Sequence, residues 1–136
     1  MDSILTSIKA QLGIHKDDTS FDDELIMHIN TVFSILTQLG VGSPSGFHIE
    51  DDSSIWYDYI SDMSKIEMVK SYIYMKTRLL FDPPTASAVA DSTNRLISEL
   101  ENRLFMEFNY VDKENADEWR INALWLFNRT NKKWVS

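Results

Sequence analysis

Apolar residues recur every three or four positions up to about residue 110, the spacing that gathers them on one face of an α-helix. A first helix is predicted over residues 2–12, beginning at Asp2 or Ser3 and ending at Gly13. A second begins in an acidic first turn at Asp22, where the helix dipole favours carboxylates, and ends at Gly40. Both helices carry a continuous apolar stripe, which predicts that they share one core.

Two further helices are predicted after an irregular stretch. The third starts at Ser64, which forms a capping box with Glu67, and ends before Pro83, because proline has no amide donor. The fourth runs from Thr85 or Ser87 to about Phe108. Its predicted stripe consists of Val89, Thr93, Leu96, Leu100 and Leu104, with Ile97 alongside. We therefore expect a mainly α fold, a small four-helix bundle formed by residues 1–111.

Residues 40–55 interrupt the helical pattern with three glycines, a proline and several serines. Two short extended pieces, Phe47–Ile49 and Ser54–Trp56, flank an acidic stretch made of Glu50, Asp51 and Asp52. The pattern is compatible with a long irregular loop or with a small hairpin between the second and third helices. Loops of this length inside a compact domain often make functional contacts.

Residues 112–136 form a C-terminal extension with a different pattern. Alternate positions from Trp119 to Phe127 are all apolar, which suits a β-strand. Asn115 and Glu118, ahead of the same apolar run, also resemble a helix start, so both conformations stay open. We interpret this extension as a candidate interaction arm.

Charge and composition narrow the function further. The chain has 136 residues, a formal charge of −8 and no cysteine, which excludes disulfides and thiolate chemistry. Residues 1–62 contain two lysines against eleven acidic residues. Because phosphates are neutralised by Lys and Arg, this half argues against a conventional nucleic-acid-binding domain. No apolar run approaches the length of a membrane span, so a cytosolic type of protein that does not contact membranes is expected.

Sequence signatures of catalysis are missing. The four glycines do not form a phosphate-binding loop or a dinucleotide fingerprint, and no metalloprotease or calcium-loop spacing occurs. Glu24 and His28, four residues apart, are interpreted as an ion pair rather than as metal ligands. The acidic stretch 50–52 is interpreted as a solvated turn. We therefore expect no catalytic residue, no metal, no cofactor and no enzymatic activity.

Aromatic residues give the strongest indication of protein contacts, since Trp and Tyr are enriched at interfaces. One group lies in or beside the irregular loop, and the other lies in the C-terminal extension. The candidate interface residues are Phe47, Trp56, Tyr57, Trp119, Trp125, Phe127 and Trp134. For Trp56, packing within its own domain is an equally good alternative.

Several segments together resemble the head–tail connector family of long-tailed bacteriophages, also called adaptor or head-completion proteins. The matching stretches cover about residues 1–110. They are the opening Ser3–Lys9 helix with Leu12-Gly-Ile14, the acidic turn from Asp17 to Asp22, the helix from Ile26 to Gly40, and the tract from Lys70 to Pro84. The end of that tract, Phe81-Asp-Pro-Pro84, is its most specific element. The aromatic, net-basic extension departs from the family, whose members often end soon after the long helix.

The resemblance implies a structural function in the virion neck, with assembly in the cytoplasm of the bacterial host. Members of the family form a homo-oligomeric ring, typically a dodecamer, which binds the portal protein and the next neck or stopper protein. DNA passes through the ring without specific binding, and acidic residues facing the channel would repel it. Our candidates for those residues are Glu50, Asp51 and Asp52. The alternative from another class is an acidic DNA mimic that inhibits a host nuclease or regulator.

Overall fold

The computed structural model describes residues 3–109, and helices dominate this part of the chain. Four long helices are present, and their ranges are Ile4–Gln11 (α1), Asp22–Gln38 (α2), Ile66–Phe81 (α4) and Ser87–Asn109 (α5). Between α2 and α4 lie a one-turn helix, Trp56–Tyr59 (α3), and a 3₁₀ turn, Met63–Lys65. The mainly α fold with four principal helices confirms the expectation from the sequence.

Of the two alternatives for residues 40–55, the structure has the irregular loop. Within residues 3–109 the only β pairing is a single antiparallel bridge between Ser3 and Ile55, so no hairpin forms. Beside the bridge, Ile4 N–H donates to the carbonyl of Ser54 at 2.9 Å. Among the described residues, the acidic stretch takes no part in this pairing. The start of α1 therefore fixes the end of the loop.

The N-terminal cap predicted for the first helix is present, whereas the one predicted for the third helix is not. The hydroxyl of Ser3 accepts from the amide of Thr6 at 3.2 Å, the N-cap predicted for the first helix. The predicted capping box of Ser64 with Glu67 is wrong. Asp62 caps instead, accepting at Oδ1 from the Ser64 amide at 3.1 Å, because a 3₁₀ turn precedes α4.

The core lies between α2 and α4, with α1 packed on α2 and α5 packed on α4. Phe33, Tyr72 and Ile73 are completely buried in it. Tyr72 also donates its hydroxyl to Glu101 Oε2 at 2.7 Å, which joins α4 to α5. Burial and the neighbouring carboxylate both raise the pKa of the Tyr72 phenol, so it remains a donor at neutral pH.

The predicted stripe of the fourth helix is partly wrong. Val89 and Leu96 are 52% and 44% exposed, whereas Ile97 and Leu104 are buried. In the described part of the chain, α5 packs mainly on one helix, α4. A helix with a single neighbour buries a narrow strip, so residues on the flank of the stripe remain in solvent.

The bundle has two ends, named here by their residues. At the Phe81 end, α1 and α4 finish and α2 and α5 begin, and the rings of Phe21 and Phe81 meet edge to face at 5.5 Å. At the Asn109 end, α2 and α5 finish, and Asn109 Nδ2 donates to the carbonyl of Leu39 at 2.7 Å. Asn109, the last described residue, therefore lies at the end of the bundle where α2 also finishes.

Candidate assembly surfaces

The acidic stretch occupies the exposed tip of the irregular loop, and both flanks of this tip are held by hydrogen bonds. Asn30, on α2, accepts from the Ile49 amide at 2.8 Å and donates to its carbonyl at 2.9 Å. The carbonyl of Ser54 is held by α1, as described above. Between these anchors Glu50, Asp51 and Asp52 are all exposed.

Among the described residues, each carboxylate of the tip lies in solvent without a Lys or Arg side chain to neutralise it. Asp51 accepts from the amide of Ser53 at 2.8 Å, and hydrogen bonding to Ser53 lowers the pKa of Asp51. His48 Nε2 lies 3.7 Å from Glu50 Oε1, a contact that is an ion pair only when the imidazole is protonated. Within residues 3–109, no Lys or Arg pairs with these three acids. The tip can therefore repel a polyanion but cannot bind one.

A second acidic surface covers the Phe81 end. Its exposed carboxylates are Asp17, Asp18, Asp23, Glu24 and Asp82. Asp18 accepts from the amide of Ser20 at 3.0 Å, and hydrogen bonding to Ser20 lowers the pKa of Asp18. Asp22 differs from its neighbours because it pairs with the buried Lys9 at 2.8 Å. The net charge of this end is negative, with Lys16 and Arg78 as cations nearby.

The aromatic residues predicted as an interface have different positions. Phe47 is half-buried and packs on Phe33 and Tyr59, with ring centroids 5.0 Å away in each case. Tyr57 is 55% exposed and remains a surface residue. Trp119, Trp125, Phe127 and Trp134 lie outside the described residues.

Trp56 requires a correction, because only 1% of it is exposed. Its indole Nε1 donates to the hydroxyl of Ser7 at 3.2 Å, and Lys70 Nζ lies 5.3 Å from the ring centroid. These contacts join α3 to α1 and α4. Trp56 is thus a core residue, and the candidate interface does not include it.

A surface groove that was not predicted opens at the Phe81 end, between the last turns of α4 and the first turns of α5. It measures about 490 Å³ and is lined by Tyr74, Met75, Leu79, Pro83, Val89 and Thr93, among others. The double proline ends α4, and the chain turns away from the α4 axis before α5 begins. The two helices are therefore separated at this point. The sequence signal for it was Asp82-Pro-Pro84 followed within a few residues by Val89.

Neither a three-ligand metal cluster nor a membrane-spanning helix is found in the described part of the chain. Between residues 3 and 109, no group of three or more His, Asp and Glu side chains is arranged to hold a metal ion. Glu24 and His28 approach to 3.6 Å on adjacent turns of α2, as an ion pair would. None of the helices in this part of the chain has the length and apolarity that a membrane span requires.

Comparison with known proteins assigns the fold to a family. No curated protein and no solved structure matches the chain. A family model described as phage connector protein matches residues 4–111, which include all of the helices described above. The family is one of structural proteins of the phage neck. Because the match covers well over half of its length, the chain belongs to the phage connector protein family.

Proposed function

We propose that identical copies of this chain form a ring below the portal, typically of twelve subunits, that extends the DNA channel and docks the next neck or stopper protein. The observation that carries the proposal is the family match over residues 4–111. Two features of the chain support it. Both acidic surfaces carry a net negative charge within residues 3–109, and half-exposed apolar residues on α5 are available for contacts between proteins.

Glu50, Asp51 and Asp52 are our candidates for the channel lining. Their support is exposure, the lack of a Lys or Arg partner, and a loop held on both sides. Many copies of one acidic tip around a channel would keep DNA from adhering as it passes. Tyr57 and the extension, with Trp119, Trp125, Phe127 and Trp134, are our candidates for protein contacts.

The assembly itself is tested by imaging and mass measurement of the full chain with its portal. A ring of about twelve copies in line with the portal channel supports the proposal. A chain that never enters particles, or one that stays monomeric and competes with DNA for a nuclease or a regulator, would instead favour the DNA-mimic alternative.

The channel assignment is tested by charge reversal in the loop. Replacing Glu50, Asp51 and Asp52 by Lys should slow DNA ejection and make it sensitive to salt, because the tip would then attract phosphates. The matched control reverses Asp23, Glu67 and Asp91, three exposed acids elsewhere on the bundle. Equal ejection by both triple variants would show that the loop does not face DNA.

A further inference from the structure

The groove at the Phe81 end has the size of a ligand site and lies open. Its volume of about 490 Å³ falls within the range of pockets that enclose a small molecule or a large side chain. Met75, Leu79 and Pro83 line its apolar floor, and Val89 stands half in solvent at its edge. Leu96, seven residues after Val89, lies two turns further along the same face of α5 and extends this apolar surface. Such a surface calls for a partner with large apolar side chains.

The chain itself carries such side chains beyond residue 109. Three of its four tryptophans, Trp119, Trp125 and Trp134, lie beyond residue 109, and Phe127 lies among them. The fourth tryptophan is buried, as shown above. Large aromatic side chains exposed at this density would be unfavourable in water, so they need a surface to cover them.

The charge of the C-terminal extension is also complementary to that of the Phe81 end. Residues 113–136 contain five basic residues and three acidic ones, and Arg129, Lys132 and Lys133 stand next to the aromatic positions. Asp82 and Arg78 both line the groove, and the exposed carboxylates of Asp17, Asp18, Asp23 and Glu24 lie at the same end of the bundle, whose net charge is negative. An aromatic and basic segment thus complements an apolar groove beside an acidic surface.

Chain length indicates how the two can meet. The last described residue, Asn109, lies at one end of α5, whereas the groove lies at the other end of this helix, whose 23 residues span about 35 Å. Trp119 is ten residues past Asn109, so it reaches about 35 Å only when fully extended, whereas Trp125 and Phe127, further along, have the length to reach the groove of their own chain. The choice of a neighbouring copy therefore rests on the proposed ring. When a neighbouring copy is placed head to tail, its groove lies near the Asn109 end of the first copy, so the segment need not run back along its own α5. Contacts of this kind, between different surfaces of two copies, close into rings.

We propose that residues 112–136 of one copy dock in the α4–α5 groove of the next copy, with their aromatic side chains on Leu79, Pro83 and Val89 and their basic residues beside the acidic Phe81 end. This inference rests on the proposed assembly from identical copies and identifies one contact that joins them. It predicts a heterologous contact that is lost without the extension.

The absence of cysteine in the chain allows a clean cross-linking test. Thr85→Cys, at the groove, and Asn128→Cys, beside Phe127, are introduced into separate full-length chains of different mass, which are mixed and treated with a short bismaleimide. Only contact between copies gives a mixed dimer. We expect its yield to exceed several-fold that of a control mixture in which Met27→Cys, 58% exposed on α2, replaces Thr85→Cys.

A second substitution tests whether the groove is responsible. Val89→Asp, added to the Thr85→Cys chain, should lower the mixed-dimer yield several-fold with an unchanged circular dichroism spectrum, because Val89 is half exposed and its replacement does not disturb the core. Equal yields for Thr85→Cys and Met27→Cys at every concentration would overturn the inference. So would a chain carrying both Thr85→Cys and Asn128→Cys that links only within itself. Rings formed with the portal despite such a result would leave the proposed function standing.

Discussion

Asn30 and Ile49 are joined by two hydrogen bonds, in which a side-chain amide takes the place of a neighbouring strand. Asn30 Oδ1 accepts from the Ile49 amide at 2.8 Å, and Asn30 Nδ2 donates to the Ile49 carbonyl at 2.9 Å. The Ile49 side chain is itself buried in the core. The position of the acidic tip thus depends on a residue of α2 that lies 19 positions earlier in the chain.

Asn30→Ala should destabilise the protein by about 1–3 kcal/mol, because both main-chain groups of Ile49 lose their partner in a part-buried position. Urea unfolding followed by circular dichroism measures the change. The matched control is Asn94→Ala on the exposed face of α5, expected to change stability by no more than about 0.5 kcal/mol. Equal effects of the two substitutions would show that Asn30 does not hold the loop.

Gly40→Ala should destabilise the protein more than Gly13→Ala does. Both glycines have positive φ, +85° and +79°, so alanine at either position costs about 1–2 kcal/mol for the backbone. A Cβ at Gly40 would also overlap the side-chain amide of Asn109, whereas a Cβ at Gly13 meets nothing within 4 Å. Thermal unfolding of both variants gives the difference. If that difference vanishes, or survives in the Asn109→Ala background, the Asn109 contact is not its cause.

The helices were predictable because their signals are local. Spacing of apolar residues defines the faces of α2 and α4, Ser3 begins α1, and Gly40 with Pro83 ends the two long helices. The fold class follows from these signals alone. The predicted capping box was wrong because two residues that can cap a helix lie close together in the sequence. Asp62 and Ser64 both offer a cap, and the sequence does not show which of them lies at the turn.

Contacts between distant parts of the chain were not predictable. Trp56 is buried because Ser7 and Lys70, far away in sequence, meet around its indole. Val89 and Leu96 lie on an apolar stripe, yet helical spacing does not show how many neighbours the helix will have. The double proline indicates that the chain turns between α4 and α5, but the angle at which α5 leaves Pro84, on which the groove depends, is not encoded by any local pattern.

Trp56→Phe should lower stability by about 1–3 kcal/mol, since it removes a buried ring, its hydrogen bond to Ser7 and its contact with Lys70. Tyr57→Phe, one residue away but exposed, is the control and should change stability by less than about 0.5 kcal/mol. Urea midpoints measure both. Comparable small effects would return Trp56 to the candidate interface residues.

Acid should weaken the start of α4 through Asp62. Hydrogen bonds from Ser64 lower the pKa of Asp62 below its ordinary value of 3.8. A carboxyl group with a lowered folded-state pKa stabilises the protein above its unfolded pKa, and this contribution disappears as pH falls through the folded-state pKa. Asp62→Asn keeps a capping acceptor that does not titrate. Between pH 7 and pH 2.5, its urea midpoint should therefore fall less than that of the parent. Parallel pH profiles would contradict this role.

Lys9 and Asp22 should respond unequally to substitution, because their burial differs. The two side chains, 3% and 24% exposed, pair at 2.8 Å, and Lys9 Nζ also donates to the Lys16 carbonyl at 3.1 Å. Asp22→Ala leaves a buried ammonium without its carboxylate and should cost about 3 kcal/mol. Lys9→Met leaves Asp22 Oδ1 buried without its cation, but the α2 dipole and the 24% of the Asp22 side chain that is exposed still stabilise the carboxylate, so the expected loss is smaller, about 1 kcal/mol.

Asp23→Ala, in the same first turn but exposed, corrects the Asp22 result for the loss of a charge at the helix start. Urea unfolding of the three variants at neutral pH gives the comparison. Should Lys9→Met prove as destabilising as Asp22→Ala after that correction, the packing of the lysine stem, and not its buried charge, would determine the stability of this contact.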